Sequence, residues 1–241
     1  TRIDIEFPTN WISLNFGGKL SFSKTNNDFK FFDFNGSDFI QNNDQSNKFS
    51  FKENIQALYI SGNKMFGKKA GIQLGLRFEN TITEGFSYTL NQKNTNNYIN
   101  LFPTLYLYYK LQEDKTLSFN YSRRINRPYF DALNPFKIYA NPFLVVEGNP
   151  YLQPSFSNNF EIILSTKKNE HKLFYSLNKD MSEQFPFINE STNVVRFYPL
   201  NFMDSFSFGF VESYTFNKYN WWSSNNSAVI YYYETKSSIT N

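Results

Sequence analysis

The segment "YSRRINRPYFDALNPF" places three arginines, Arg123, Arg124 and Arg127, within five positions. Guanidinium groups are planar forks that bind carboxylates and phosphates through paired hydrogen bonds. One interpretation is therefore a cationic site for an anionic ligand. The other is that the arginines brace a folded loop, with Asp131 and Glu147 as carboxylate partners. We favour the bracing role and keep all five residues as candidates for ligand contact.

The same segment marks the end of a strand. The preceding "TLSFNYSR" alternates apolar and polar residues, and Pro128 ends the strand ladder because it has no N–H to donate. Consecutive strand residues face opposite sides, so we expect one of Arg123 and Arg124 to face inward and the other outward. Residues 125–155 then form a long loop, in which "NPF" occurs twice and "GNP" once as turn signals.

Other chemistry finds little support. The chain has one histidine, His171, and no cysteine, whereas zinc sites need several such ligands. The runs "NGSD" and "NNDQSNK" offer oxygen ligands for calcium but lack the spaced acidic series of an EF-hand. Phosphate-loop, hydrolase-elbow and zinc-protease motifs are absent. We therefore predict no catalytic residue, no cofactor and no metal site, and we predict that the protein is not an enzyme.

The composition indicates a membrane protein of a particular kind. Aromatic residues make up 20% of the chain, yet its mean hydropathy is −0.53. No run of apolar residues is long enough for a transmembrane helix. Membrane β-barrels combine these properties, since each strand has a lipid face and a wet face, with aromatic girdles at both interfaces. The net charge of +3 is too balanced to favour nucleic acid as a partner.

Alternation with a period of two predicts about ten strands. They lie at roughly 10–23, 28–34, 49–60, 70–80, 98–110, 115–124, 156–165, 171–179, 204–216 and 221–234. Short polar turns such as "KTNND" and "QEDK" alternate with long connections at 35–48, 81–97, 125–155 and 180–203. Outer-membrane barrels have short periplasmic turns and long extracellular loops, whereas a soluble β-sandwich has no reason to sort its connections this way. We therefore predict an all-β, antiparallel transmembrane β-barrel.

The alternation also assigns individual charges. Glu79 and Glu161 should face the lumen, whereas Glu53 and Glu212 fall in phase with apolar neighbours and lie either near a rim or at a slip of register. His171 should lie near the periplasmic rim, after the turn "KKNE". An enzyme built from extracellular loops, such as a surface protease in a complete ten-stranded barrel, could not use it there. Finding His171 at the other rim would revive that alternative.

Several blocks then carry a family likeness: "LFP", "YSRRINRP", "LNPF" and "EGNPYLQP", in that order within residues 51–178. They resemble the TonB-dependent-receptor-like outer-membrane barrels abundant in Bacteroidetes. The resemblance implies the cell outer membrane of a Gram-negative organism, with outer-membrane lipids around the strands. It also implies a barrel of about 22 strands, a plug domain and a TonB-type energy-coupling partner.

We expect the chain, residues 1–241, to be the C-terminal portion of such a barrel domain. At the observed spacing, 22 strands would need roughly 530 residues, and no plug or TonB box is visible in this sequence. The leading functional hypothesis is uptake of a nutrient or siderophore-type ligand. The alternative is a non-transporting barrel that serves as a scaffold in a surface-lipoprotein or outer-membrane protein complex, so a surface lipoprotein is a further candidate partner.

Overall fold

The computed structural model describes residues 1–239, which form one sheet of twelve strands. The strands are β1 (Arg2–Pro8), β2 (Ser13–Phe34), β3 (Phe39–Phe66), β4 (Ala70–Ser87), β5 (Gln92–Gln112), β6 (Lys115–Asn126), β7 (Lys137–Asn141), β8 (Leu144–Glu147), β9 (Ser155–Ser165), β10 (Asn169–Asn189), β11 (Val194–Tyr219) and β12 (Trp222–Ser237). No helix in these residues is long and apolar enough to cross a membrane.

Neighbouring strands pair in the order β1-β2-β3-β4-β5-β6-β9-β10-β11, and β12 pairs with β11. Every pairing is antiparallel except that of the short β8, which runs parallel to β11 at residues 195–197. Within residues 1–239 the two edge strands β1 and β12 do not pair with each other, so the sheet is open. The all-β, antiparallel prediction is confirmed.

The two faces of the sheet differ as the alternation predicted. On the outer face apolar side chains are not covered by other parts of the protein, as shown by Leu58 (66% exposed) and Leu74 (54% exposed). The inner face is the one covered by residues 127–154, and it carries small polar side chains such as Thr81, Thr83 and Ser87. A broad exposed apolar face is unusual for a soluble monomer and is expected where lipid replaces water.

The predicted strands 10–23 and 28–34 are wrong as separate elements, because both belong to the single strand β2. Its pairing with β3 continues through the predicted turn "KTNND", from Lys24 opposite Lys52 to Asp28 opposite Lys48. Polar residues occupy both faces of the strand at these positions, so a run of polar residues does not signal a turn there. The prediction also missed β1, β7 and β8.

Three of the four predicted long loops are mostly strand. The connections that remain are the tight turns at 35–38, 88–91 and 190–193. In the first turn the Asn35 side chain accepts hydrogen bonds from the backbone of Ser37 and Asp38, and Gly36 takes a positive φ of 100°. Only residues 127–154 form a long loop. At the end of the sheet that carries these turns, the strands therefore project past the apolar band as hairpins.

Spin labelling can test the continuity of β2, because the chain has no native cysteine to interfere. Single cysteines at Thr25, Asn26, Asn27 and Asp28 should show label mobility and oxygen accessibility that alternate with a period of two, because positions 25 and 27 are half-buried and positions 26 and 28 are exposed. Continuous-wave electron paramagnetic resonance in lipid bilayers measures both quantities. Four equally mobile labels in a row would indicate a turn and would contradict a single strand.

Candidate functional site

The loop formed by residues 127–154, here called the inner loop, contains most of the apolar core. Seven apolar side chains are buried in the described part of the chain, and four of them, Leu133, Phe136, Val145 and Leu152, belong to this loop. A barrel wall has no packed core of its own, because its outer face meets lipid. The inner loop supplies that core by packing against itself and against the inner face.

Backbone hydrogen bonds hold the inner loop in one conformation. The Gly148 N–H donates to the Asn134 carbonyl at 3.0 Å, and the Asn149 N–H donates to the Ala132 carbonyl at 2.7 Å. A Cβ on Gly148 would lie 2.4 Å from the Asn134 oxygen, so this close approach requires glycine. Long loops in compact structures need such internal bonds, because their polar backbone groups must be paired.

The inner loop is anchored to β11 on one side. The side-chain amide of Asn149 donates to the Pro199 carbonyl at 2.9 Å, and the backbone N–H of Gln153 donates to Asn201 Oδ1 at 2.8 Å. On the opposite side, the side-chain amide of Asn96 in β5 donates to the Pro150 carbonyl at 3.4 Å. The loop therefore crosses the inner face and connects strands that are not neighbours.

Arg127 anchors the start of the inner loop to β4. One Arg127 Nη2 lies 2.6 Å from Glu79 Oε2 and 3.1 Å from Thr81 Oγ1, and Arg127 Nε lies 3.9 Å from Glu53. Burial of the guanidinium acts to lower the pKa of Arg127, but the Glu79 carboxylate and the nearby Tyr98 outweigh it and raise the pKa. Arg127 therefore stays charged beside its partners, and the bracing role describes it well.

The other two arginines lie on opposite faces, as expected. Arg123 is on the outer face, with its guanidinium carbon 4.8 Å from the centre of the Phe156 ring. Arg124 shares the inner face with Ser122, is exposed, and forms no ion pair within residues 1–239. Arg124 is thus available to contact something in the lumen, which Arg123 is not.

The expected carboxylate partners differ from those observed. Asp131 is exposed and accepts a hydrogen bond from the backbone of Ala132 at 2.9 Å. Glu147 forms an ion pair at 3.3 Å with Arg196 of β11, a residue that the sequence reasoning missed. The predicted loop at 180–203 hid Arg196, although the alternation "VVRFYP" could have indicated a strand there. Glu147 therefore ties the inner loop to β11 and does not pair with any of the three clustered arginines.

Arg196 lies in a cleft of about 840 Å³ between the β7–β8 hairpin and the tip of the β10–β11 hairpin. Its guanidinium carbon is 5.1 Å from the centres of the Phe187 and Tyr198 rings. Lys137 and Tyr139 line the same cleft. Charged and aromatic groups converging in an open cleft can bind a ligand that is both planar and polar.

A second cavity of about 650 Å³ lies on the inner face beside Arg124 and Arg127. It is lined by Tyr59, Arg77 and Phe102 as well. Arg77 Nε lies 2.8 Å from Glu79 Oε1, and its guanidinium carbon lies 4.9 Å from the Phe102 ring centre. Glu79 thus forms ion pairs with two arginines, Arg77 and Arg127. The inner face keeps an excess of positive charge around this cavity.

The remaining charged residues also have clear places. Glu161 faces inward, as predicted, and accepts from Asn120 at 3.2 Å. Glu53 is on the inner face within reach of Arg127, so the register does not slip there. Glu212 is on the outer face, where it is hydrogen-bonded to His171 near the short turn at 166–168. His171 is therefore at the rim of short turns, where the sequence placed it.

The two candidate calcium segments use their oxygens locally. Asn35 Oδ1 caps its own turn, and Asn42 Oδ1 accepts from the backbone of Asp44 and Gln45. In residues 1–239, groups of three or more His, Cys, Asp or Glu side chains placed to hold a metal ion do not occur.

Replacement of Arg127 should loosen the inner loop. Arg127→Ala removes the hydrogen bonds to Glu79 and Thr81, and the largely buried Glu79 carboxylate then pairs with Arg77 alone. The free energy that holds the inner loop against the sheet should fall by about 1–3 kcal/mol. Arg124→Ala is the matched control, because Arg124 is exposed without an ion pair in residues 1–239. Hydrogen exchange of residues 127–154 should be faster in the first variant only. Equal protection in both variants would contradict the bracing role.

Known structures with the same fold are outer-membrane transporters and receptors. The copper transporter OprC aligns with a TM-score of 0.72 at 11% identity over 97% of this chain and 36% of that chain. A ferric enterobactin receptor, PfeA from Pseudomonas aeruginosa, gives a TM-score of 0.64 at 17% identity over 95% of this chain and 35% of that chain. The ferric yersiniabactin uptake receptor FyuA from Yersinia pestis gives 0.63 at 13% identity over 98% and 35%.

The chain therefore spans about a third of the length of these solved structures. Identities this low establish the shared fold alone. A search of curated protein sequences gives no match. The structural neighbours are named as transporters and receptors, which agrees with the prediction that the chain is not an enzyme. With a family model matching residues 1–241, the chain belongs to the outer membrane protein beta-barrel family, and its strands lie in the outer membrane.

Proposed function

We propose that this chain forms part of the wall of a TonB-dependent-receptor-like barrel that takes up a nutrient or siderophore-type ligand. In this proposal residues 1–241 are the C-terminal portion of a barrel domain of about 22 strands. The plug domain and the TonB box belong to a part of the protein outside this sequence. Energy for uptake comes from a TonB-type partner.

The open sheet is the observation that carries this proposal. The edge strands β1 and β12 each leave one row of backbone groups without a strand partner in residues 1–239. A bilayer core cannot satisfy such groups, so lipid-embedded sheets close into barrels. Further strands pairing with both edges would complete the closure, which agrees with the chain covering 36% of the OprC structure.

The inner loop supports a role in ligand passage. It lies across the inner face and not away from the sheet, so it narrows the lumen at the rim of the projecting hairpins. Arg196 and its aromatic neighbours are positioned in the rim cleft to meet a ligand first, and Arg124 is positioned farther inside. The solved structures that share the fold are named for copper, ferric enterobactin and ferric yersiniabactin, and the proposal places this chain in the same transport class.

A non-transporting scaffold is the alternative, and the hairpin tips favour it. Phe34 and Phe39 close the β2–β3 hairpin with ring centres 5.1 Å apart, and they are 60% and 72% exposed. Exposed aromatic pairs on a projecting hairpin are suited to burial by a protein partner such as a surface lipoprotein. This alternative needs neither the rim cleft nor an energy-coupling partner.

Uptake measurements distinguish the transport proposal from the scaffold alternative. Cells carrying the natural protein should accumulate copper, a ferric siderophore or an oligosaccharide above the deletion strain, and a protonophore should abolish the difference. Arg196→Ala should reduce uptake at low ligand concentration about tenfold, because a charge-assisted contact is lost. Lys68→Ala, in the short turn at 67–69, is the control and should leave uptake unchanged. Protonophore-insensitive growth, together with a lipoprotein that co-purifies until Phe34 and Phe39 are replaced, would overturn transport.

A further inference from the structure

A row of charged residues, mostly lysines, crosses the outer face from β2 to β5. Lys24 is the cross-strand partner of Lys52, which in turn lies opposite Glu84. Glu84 forms ion pairs with both Lys52 and Lys93 of β5, with Nζ–O distances of 2.9 Å and 2.7 Å. The side chains of Lys52 and Lys93 are 54% and 57% exposed despite this sharing.

The row keeps an excess of positive charge. Lys24 has no carboxylate within ion-pair distance in residues 1–239, and neither has Lys48, which lies four residues from Lys52 on β3. Lys48 instead lies with its Nζ 5.2 Å above the Tyr88 ring. Asp28 of β2 lies opposite Lys48 and is paired with Lys30 at 4.0 Å. Lys24, Lys52 and Lys93 therefore share a single carboxylate, that of Glu84, on the outer face.

The depth of the row matches a lipid headgroup. On β4 the outward apolar residues begin at Ile72, and Glu84 follows twelve positions later. At about 3.3 Å per residue this is about 40 Å along the strand, or about 30 Å along the membrane normal for a tilt of about 40°. The apolar band of a barrel is about 25 Å tall. The lysines thus lie just past the hydrocarbon boundary, on the side of the projecting hairpins.

An apolar groove of about 730 Å³ lies directly below the row, on the same face of the same strands. Its walls include Ile3, Phe16, Leu20, Leu58 and Phe78. Gly18 forms part of its floor, because it has no side chain to fill the space. Leu20 and Lys24 share one face of β2, about 13 Å apart. An extended acyl chain fits this position and depth.

We propose that this surface is a binding site for a phosphate-bearing lipid of the leaflet around the hairpin rim. The headgroup phosphate lies among Lys24, Lys52 and Lys93, and one acyl chain lies in the groove over Gly18. The charge complementarity identifies the headgroup chemistry, and the groove beneath it identifies the rest of the molecule as lipid. The proposal depends on the outer-membrane location and is independent of what the barrel transports.

Native mass spectrometry of the detergent-purified natural protein tests the site with three added lipids: lipid A, phosphatidylglycerol and the zwitterionic phosphatidylcholine. One or both anionic lipids should bind with higher affinity than phosphatidylcholine. Lys24→Gln/Lys52→Gln/Lys93→Gln should weaken anionic binding at least about tenfold. The matched control is Lys64→Gln/Lys68→Gln/Lys69→Gln at the opposite end of β3 and β4, which removes the same charge and should have no such effect.

Gly18→Leu tests the groove separately, because its side chain occupies the acyl position without changing any charge. It should weaken lipid binding by a similar factor while far-ultraviolet circular dichroism remains unchanged. Equal losses in both lysine variants would reduce the site to general attraction of a basic protein and would overturn the proposal. Unchanged lipid binding by Gly18→Leu would contradict the assignment of an acyl chain to the groove. Equal affinity for phosphatidylcholine and for the anionic lipids would contradict the role of the lysines.

Discussion

Backbone hydrogen bonding in lipid is the constraint on which the rest of this structure depends. A bilayer offers no partner for an amide, so each strand must pair along its whole embedded length. This requirement produces long uninterrupted strands and leaves each strand only its side chains to vary. One face then becomes apolar and the other polar, and stabilising contacts that a soluble core would supply must come from the inner face. The inner loop, with Leu133, Phe136, Val145 and Leu152, meets that need.

The sequence predicted well what lipid dictates. The period-two pattern placed Glu79 and Glu161 inward and put Arg123 and Arg124 on opposite faces, because register is strict wherever one face is apolar. It failed where strands leave the bilayer. "KTNND" looks like a turn because both faces of β2 carry polar residues there, and the same loss of contrast concealed the strands within 35–48 and 81–97.

The candidate site was harder to predict than the fold, because its contacts are distant in sequence. Asp131 and Glu147 are near the arginine cluster along the chain, yet Arg127 pairs with Glu79, and Glu147 pairs with Arg196. Which carboxylate a loop arginine reaches depends on how the loop folds back over the sheet, and periodicity carries no information on that. The same holds for ligand choice, because identities of 11% to 17% accompany a shared fold and do not identify a ligand.

The inner loop also has a mechanical consequence. It is attached to β4 through Arg127, to β5 through Asn96 and to β11 through Asn149 and Glu147. Because the loop is fixed at both ends, it sets the distance between β4, β5 and β11. The width of the opening between these strands therefore cannot change unless the loop also moves. The barrel wall gains stiffness from this tie without any additional strand.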